Sequence, residues 1–350
     1  MQQLNFIEAG KLEWREAAQP RIAADEEAIV RPLVVATCDL DPLIVRGAVP
    51  VQGPFPFGHE GVGQVAEVGD GVHSVVPGDL VSIPFQISCG SCEQCARGRS
   101  AHCRAVPGLS MYGLGALSGG EFGGFVSDLV RVPFADHMLL KIPPGVPAES
   151  LASLSDNIAD AWRTVGPQLE AEPGANVLIV SADGSVSLYA AGIAAALGAG
   201  RVDFVGGGRR QQEVAARLGA RVIEGEVPER LGPYPITVDA SNDHAGLACA
   251  LRSTAPDGVC TSIGIYFEPA TPVPLLEMYT HGINFFTGRV HAREAMPRAL
   301  ALIEHGLLHP EIVTSQVIPW EHAAEALSHL SGKTILVRDP HSPPGTSASA

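Results

Sequence analysis

The chain has 350 residues, of which 46% are hydrophobic and 17% charged, and this composition predicts a globular protein long enough for two domains. Its formal net charge of -15, without any basic cluster, excludes nucleic acid as a partner, because grouped Lys and Arg bind a phosphate backbone. The amino-terminal MQQLNFIEAGKLEWRE lacks the basic and apolar regions of a signal peptide, and no apolar run approaches the roughly 20 residues that span a bilayer. We therefore expect a cytoplasmic protein with no membrane partner.

Residues 1–150 are rich in strand-like segments with Gly and Pro between them, and they predict a first domain. Possible metal ligands are dispersed along this region and just beyond it: Cys38 in VVATCDLD, His59 with Glu60 in FPFGHEGVG, and Asp156 in SLSDNIADAW. Thiolate, imidazole and carboxylate together suit a catalytic zinc with one open position. From spacing alone, two alternatives stay open: Cys38 as a core thiol and Asp156 as a helix cap.

Four of the seven cysteines lie in one short lobe, at about residues 88–104. Their spacing is C-x2-C-x2-C-x7-C, and thiols in the cytoplasm stay reduced, which disfavours disulfides. Four thiolates surround a zinc ion tetrahedrally and leave no open position, so the pattern predicts a structural zinc. The alternative is a chance cluster of free thiols. The four residues are Cys89, Cys92, Cys95 and Cys103.

Apolar strands alternate with helices over residues 151–289, which predicts a second domain with a doubly wound parallel sheet. We expect the active site in the cleft between the domains, at the carboxyl ends of these strands. Residues 290–338 are predicted to return to the first domain, and residues 339–350 to form a disordered tail. The predicted strands are ANVLIVS, RVDFVGG, RVIEGE, PITVDAS, GVCTSIG and NFFTGRV.

The segment VLIVSADGSVSL runs from an apolar strand into a small-residue turn and an alanine-rich helix, where dinucleotide-binding folds place G-x-G-x-x-G. Here the three glycine positions are Ala182, Gly184 and Ser187, so only the middle glycine is present. Backbone N–H groups at the start of the helix, at Ser185 and Val186, still offer an anion site. The segment predicts a weakened nucleotide loop.

These motifs together resemble the zinc-dependent medium-chain alcohol dehydrogenase family, from GHEGVGQVAEVGDGVHSVVPGDLV to SGKTILV. The resemblance implies an α/β protein with a strand-rich GroES-like catalytic domain and a Rossmann cofactor domain. It implies that Cys38, His59 and Asp156 bind a catalytic zinc, that Glu60 is a supporting acid or an exchanging ligand, and that the four clustered cysteines bind a structural zinc. Two zinc ions per chain and a homodimer or homotetramer follow from the same resemblance.

An aspartate at the position of Asp156 resembles the bacterial secondary-alcohol, polyol and threonine dehydrogenases. The implied reaction is hydride transfer between a small alcohol, or the matching carbonyl, and NAD(P), with zinc as the Lewis acid on the alcohol oxygen.

The chain departs from the family pattern at the proton relay, where Leu40 replaces a hydroxyl residue and Leu43 replaces a histidine. Asp39 is a candidate substitute acceptor, although a solvated turn residue is the alternative. The family's Thr-Gly near the nicotinamide is Asp160-Ala161 here. Arg293 matches a position near the cofactor.

A further departure is at the end of the second Rossmann strand, where Gly206 stands in place of the acidic residue that binds the ribose diol. Without that carboxylate, Arg209 or Arg210 can pair with a 2′-phosphate, so the sequence favours NADP over NAD. The alternative is a flexible loop with two solvated arginines.

Two functions fit these observations. The first is a zinc-dependent NAD(P)-linked dehydrogenase, and the second is a redox-silent relative, either a metal-assisted hydrolase or lyase or a ligand-binding protein. Every zinc-ligand position matches the family pattern, while the departures from that pattern lie at cofactor and proton-relay positions. The pattern favours the dehydrogenase.

Overall fold

The computed structural model describes residues 1–115, 122–330 and 332–339, and no helix in these ranges is long and apolar enough to cross a membrane. The chain divides into two compact units, the first formed by Met1–Ala159, His291–Leu300 and Thr314–Ala350, the second by Asp160–Val290 and Ala301–Val313. The domain limits predicted from the sequence, at residues 150, 289 and 338, remain a proposal. Except for Asp339, the predicted tail at 339–350 lies outside the described residues.

The elements are numbered in chain order. The strands are β1 (Gln2–Glu8), β2 (Lys11–Glu16), β3 (Ala28–Ala36), β4 (Phe55–Pro56), β5 (Glu60–Val68), β6 (Leu80–Ile83), β7 (Val130–Val132), β8 (Leu140–Lys141), β9 (Val177–Ser181), β10 (Val202–Gly206), β11 (Arg221–Ile223), β12 (Tyr234–Ala240), β13 (Thr254–Ser262), β14 (Asn284–Phe286), β15 (Gln316–Pro319) and β16 (Thr334–Val337). The helices are α1 (Asp41–Val45), α2 (Glu93–Ala96), α3 (Ala135–Met138), α4 (Asn157–Ala171), α5 (Ser185–Ala196), α6 (Arg209–Arg217), α7 (His244–Arg252), α8 (Leu275–His281), α9 (Ala292–Glu304) and α10 (Ala323–Ser328).

The first unit is built around β3, an apolar strand that pairs antiparallel with β5, β7 and β16. The sheet around it has the order β15-β16-β3-β5-β6-β8, and a smaller sheet has the order β2-β1-β4. The pairing of β3 with β5 shifts register next to Pro32, which has no N–H to donate to a ladder. At the other end of the pair Ala36 faces Glu60, so the loop after β3 and the residue before β5 lie side by side.

The second unit contains a six-stranded parallel sheet with the order β11-β10-β9-β12-β13-β14. This is a doubly wound order: β10 and β11 lie on one side of β9, and β12, β13 and β14 follow on the other side. It confirms the fold class predicted from the alternation of apolar strands and helices, and all six predicted strands are present. Ser181 pairs with both Gly206 and Ala240, so the carboxyl ends of the three central strands meet at one edge of the sheet.

A buried carboxylate ties three strands of this sheet together. Asp203 in β10 is fully buried, and Arg221 donates to it from Nε (2.6 Å) and Nη2 (2.9 Å). Its other hydrogen bonds come from Arg201 Nε (2.8 Å) and the Tyr234 hydroxyl (2.6 Å). Burial opposes the charge, but the hydrogen bonds from Arg221 and Tyr234 outweigh it and lower the pKa of Asp203. The sheet therefore holds this group as a paired anion.

Candidate zinc sites and nucleotide loop

Three of the predicted ligands of the catalytic zinc meet in the first unit. Cys38 follows β3, His59 precedes β5, and Asp156 precedes α4. Their ligand atoms all lie within 4.8 Å of one another, and His59 and Asp156 are buried. One sulfur, one nitrogen and one oxygen at this separation fit a zinc ion and leave a fourth position for another ligand.

The protonation of this cluster also suits a cation. Burial lowers the pKa of His59, but the carboxylates of Asp41 and Asp156 outweigh burial and raise it to about 9. Burial raises the pKa of Cys38, and the negative charge of Asp156 adds to that effect. Such groups hold protons in the metal-free protein, and a divalent cation takes the place of those protons.

Glu60 lies beside the cluster but is not one of the three converging ligands. Its Oε1 accepts from Lys333 Nζ at 2.5 Å, and its Oε2 accepts from the backbone N–H of Asn157 at 3.2 Å. Burial raises the pKa of Glu60 to about 7, although Lys333 opposes this shift. The role of Glu60, as a supporting acid or as an exchanging ligand, stays a prediction.

Lys333 and Asn157 connect this acid to the ligands. The buried Lys333 Nζ also donates to Thr37 O and Asn157 Oδ1, both at 2.5 Å. Asn157 Nδ2 in turn donates to Cys38 Sγ at 3.4 Å and to Asp156 Oδ2 at 3.3 Å. Hydrogen bonds of this kind stabilise the anionic forms of the thiol and the carboxyl group, which are the forms that bind metal.

The four clustered cysteines form a second group whose sulfur atoms lie within 4.8 Å of one another. Backbone N–H groups point at these sulfurs: Cys92 N donates to Cys89 Sγ at 3.3 Å, and Arg104 N donates to Cys92 Sγ at 3.4 Å. The N–H groups of Arg104 and Cys95 lower the pKa of Cys92 to about 6. All four are free thiols rather than disulfides, so this group fits a closed site of four thiolates.

The nucleotide loop lies between β9 and α5 in the second unit. Its two non-glycine positions are accommodated without strain. Among the described residues the non-glycine positions with positive φ are Leu109, Asn242 and Asp257, so Ala182 has an ordinary conformation. Ser187 is buried, accepts from Ser181 Oγ (2.8 Å) and donates to Gly184 O (3.0 Å).

The N-cap of α5 is Gly184, and no acidic residue lies in the first turn, which begins with Ser185 and Val186. A helix start without carboxylates keeps its positive end for an anion. Binding of a pyrophosphate at this loop stays a prediction.

The end of β10 carries no carboxylate because it is formed by Gly206 and Gly207. Both glycines have positive φ. The Arg209 side chain is 93% exposed and its Nε donates to Glu213 Oε1 at 2.8 Å, and Arg210 is also exposed. The Asp183 carboxylate lies nearby, where its Oδ1 accepts from Gly208 N at 2.7 Å.

The comparisons with known proteins agree with this geometry. A family model for the alcohol dehydrogenase GroES-like domain matches residues 24–144. A Mycobacterium tuberculosis protein named probable zinc-binding alcohol dehydrogenase is 27% identical over 324 residues, which cover 91% of this chain and 82% of the relative. The solved alcohol dehydrogenase of Thermus sp. ATN1 is 28% identical, covers 97% of this chain and 100% of its own, and superposes with a TM-score of 0.87.

The chain resembles zinc-dependent alcohol dehydrogenases over nearly its whole length. An Escherichia coli alcohol dehydrogenase solved with NADH, 23% identical and covering 96% of this chain and 99% of its own, shares the fold with a TM-score of 0.80. These comparisons support zinc-dependent alcohol oxidoreduction with a nicotinamide cofactor. The substrate and the choice of dinucleotide are separate questions.

Several predicted residues lie outside the two clusters. Asp39 and Leu43 are exposed, and Leu40 is half-buried. Asp160 forms an ion pair with Arg163 in α4. Arg293 Nε donates to the carbonyl oxygen of His137 within the first unit. The roles of Asp39 as proton acceptor and of Arg293 at the cofactor stay predictions.

Sequence reasoning missed Lys333, Asn157, Asp183 and Gln211. Lys333 lies 273 residues from Glu60, so no local pattern links them, although a lysine that opens an apolar strand is itself unusual. Asp183 lies within the quoted nucleotide loop and is its one charged residue. That signal was available from the sequence.

Proposed function

We propose that this chain transfers a hydride between a secondary alcohol or polyol, or the matching carbonyl compound, and a nicotinamide dinucleotide. The observation that carries the proposal is the convergence of Cys38, His59 and Asp156, whose ligand atoms lie within 4.8 Å in the first unit. A zinc ion held there supplies Lewis-acid chemistry at the alcohol oxygen. An aspartate in the ligand set supports the secondary-alcohol and polyol class, by resemblance to that subgroup.

The chain's own residues have distinct parts in this proposal. Cys38, His59 and Asp156 hold the metal, and Asn157 donates hydrogen bonds to the first and the last of these. Lys333 favours the anionic form of Glu60 against the effect of burial and holds this acid in place next to the ligands. His59, Glu60 and Asp156 are buried, and burial strengthens the charge interactions among these groups.

The cofactor proposal rests on the second unit. We propose that the pyrophosphate binds at the start of α5, next to Ser185 and Val186, where Gly184 allows close approach. The preference for NADP over NAD stays a prediction, supported by Gly206 and by the exposed Arg210. Two observations oppose it: Arg209 is paired with Glu213, and Asp183 brings a carboxylate to the same place. These two features favour NAD.

Two zinc ions per chain are proposed, one in each cluster. The four-thiolate site ties together a lobe with little core of its own, so its role is structural. A cytoplasmic location stays a prediction from the sequence.

A homodimer is the proposed assembly. β14 is the last strand of the described parallel sheet, and Phe286 on it is exposed. The neighbouring α8 exposes Leu275, Leu276 and Tyr279, the last with 83% of its surface accessible. A second copy of the chain can cover both the free strand edge and these side chains.

Light scattering after gel filtration tests this assembly. Tyr279→Glu and Phe286→Asp are expected to give monomers, while Val76→Asp, at an exposed apolar position of the first unit, keeps the dimer. A wild-type monomer at micromolar concentration contradicts the proposal.

The redox-silent alternative is favoured by Leu40 and Leu43, which leave the relay without a hydroxyl or an imidazole. A panel of secondary alcohols and polyols with NAD and NADP separates the two functions, with reduced nicotinamide followed by absorbance. Cys38→Ser is the matched inactive variant. Turnover by the wild type that is lost in this variant supports the dehydrogenase, whereas no turnover by a protein with both zinc sites filled favours the alternative.

A further inference from the structure

The turn after β10 is restricted to glycine by its backbone. Gly206 has φ +87°, and a Cβ atom there would lie 2.3 Å from Ser181 O. Gly207 has φ +69°, and a Cβ atom there would lie 2.7 Å from Gln211 Cγ. An acidic side chain at the end of this strand, the usual ligand of the adenosine ribose, therefore cannot be present without moving the backbone.

A carboxylate reaches the same turn from the neighbouring nucleotide loop. Asp183 Oδ1 accepts from the N–H of Gly208, the N-cap of α6, at 2.7 Å. Both of its oxygens lie close to Gly208, at 3.4 and 3.5 Å from the position of a Cβ atom on that glycine. The Asp183 carboxylate thus occupies the positive end of α6, while the residue itself remains exposed to solvent.

Gln211 fixes the loop in this position. Its buried side chain donates from Nε2 to Gly184 O at 2.5 Å and to Ser187 Oγ at 2.9 Å. These bonds connect α6 to the residues on both sides of the phosphate turn. Asp183 is therefore held against α6 by the structure around it and not only by its own hydrogen bond.

We propose that Asp183 is a specificity-determining residue that selects NAD(H) over NADP(H). A dinucleotide whose pyrophosphate lies at the start of α5 brings its adenosine ribose to the carboxyl ends of β9 and β10. There the Asp183 carboxylate accepts hydrogen bonds from the ribose hydroxyls and repels a 2′-phosphate. The inference rests on the proposed cofactor function, and it reverses the preference for NADP that Gly206, Arg209 and Arg210 suggest from the sequence.

The test is a binding titration of the zinc-loaded, full-length protein with NADH and NADPH, followed by nicotinamide fluorescence and by calorimetry. We expect NADH to bind more tightly to the wild type. Asp183→Asn keeps an oxygen for Gly208 N but removes the charge, and we expect it to shift the ratio of the two dissociation constants toward NADPH by about tenfold. The control is Glu172→Gln, which removes one exposed carboxylate before β9, at the opposite end of the sheet.

Each outcome of the titration supports or overturns the role of Asp183. A wild type that prefers NADPH overturns the inference, and so does an Asp183→Asn variant whose ratio changes no more than that of the control. Binding of neither dinucleotide to wild-type protein of normal zinc content overturns the proposed function itself, and this inference with it. A shift confined to Asp183→Asn supports both.

Discussion

Asp41 and His59 face each other in the interior of the first unit, with Asp41 Oδ1 at 3.7 Å from His59 Nδ1. Both atoms are buried, and neither has a hydrogen-bond partner in the described part of the chain. The other oxygen of Asp41 accepts from the N–H of Cys38 at 2.8 Å. The Asp41 carboxylate thus lies next to two proposed zinc ligands, Cys38 and His59. If Asp41 Oδ1 and His59 Nδ1 move slightly closer than 3.7 Å, they form a hydrogen bond that orients the imidazole.

Replacing Asp41 by Asn is therefore expected to weaken zinc binding at this site by about 10- to 100-fold, the usual effect of losing a carboxylate behind a ligating histidine. The measurement is competition with a chelator, with metal content determined by mass spectrometry. Asp39→Asn is the matched control, since Asp39 is exposed and two residues away. Equal zinc affinity in the Asp41 variant and the wild type would count against an orienting role.

Zinc binding at the same site is expected to depend on pH. The pKa of His59 is raised to about 9 in the metal-free protein, so its imidazole is protonated at neutral pH and zinc must displace that proton. The apparent affinity should therefore rise as pH increases toward 9, by about tenfold per unit for each proton released. Calorimetry in buffers of different ionisation enthalpy counts the protons. An affinity that is flat between pH 6 and 8 would contradict this account.

The four-cysteine lobe supplies a separate prediction about metal content. Cys95→Ser should lower the zinc content by one ion per chain and increase proteolysis within residues 88–104, because the lobe loses its cross-link. Cys249→Ser is the control, since Cys249 is a buried thiol in the second unit, away from both clusters. Unchanged metal content in Cys95→Ser would support the alternative of four free thiols.

The fold and the four-cysteine cluster could be predicted from the sequence itself, whereas Cys38, His59 and Asp156 were proposed as a ligand set through the family resemblance. Runs such as Val177–Ser181 are apolar throughout because parallel strands are buried on both faces, and cysteine clusters have few structural uses in a reducing compartment. The supporting residues were not visible, because Lys333 and Glu60 meet only after the whole chain has folded. The meaning of Asp183 depended on the left-handed backbone at Gly206 and Gly207, and sequence alone does not show that conformation.

Lys333 gives a prediction that separates pairing from packing. Lys333→Met leaves the Glu60 carboxylate buried without its partner, which typically costs about 3–5 kcal/mol. The double variant Lys333→Met with Glu60→Gln removes that charge and should recover much of the loss in thermal stability. Lys141→Met is the control, because the Lys141–Asp79 pair lies at the surface and is expected to contribute less than about 1 kcal/mol. A double variant as unstable as the single one would show that Lys333 acts through packing or through its hydrogen bonds to Thr37 and Asn157, and not through the charge of Glu60.

Asp203 gives the corresponding prediction for the second unit. Asp203→Asn weakens the hydrogen bonds from Arg201, Arg221 and Tyr234, and we expect a loss of about 2 kcal/mol, discounted because both arginines are about half exposed. That loss corresponds to a thermal midpoint lower by about 5 °C.

The pH dependence of this loss follows from the direction of the pKa shift. The pKa of Asp203 is lowered in the folded protein, so its contribution is complete above the pKa of the unfolded chain and disappears as pH falls through the folded value. The difference in midpoint between Asp203→Asn and wild type should therefore be full at pH 7 and shrink in acid. Glu226→Gln, at an exposed position of the same unit, should show no difference at either pH. A gap that stays constant into acid would mean that the cost of Asp203→Asn comes from packing rather than from charge.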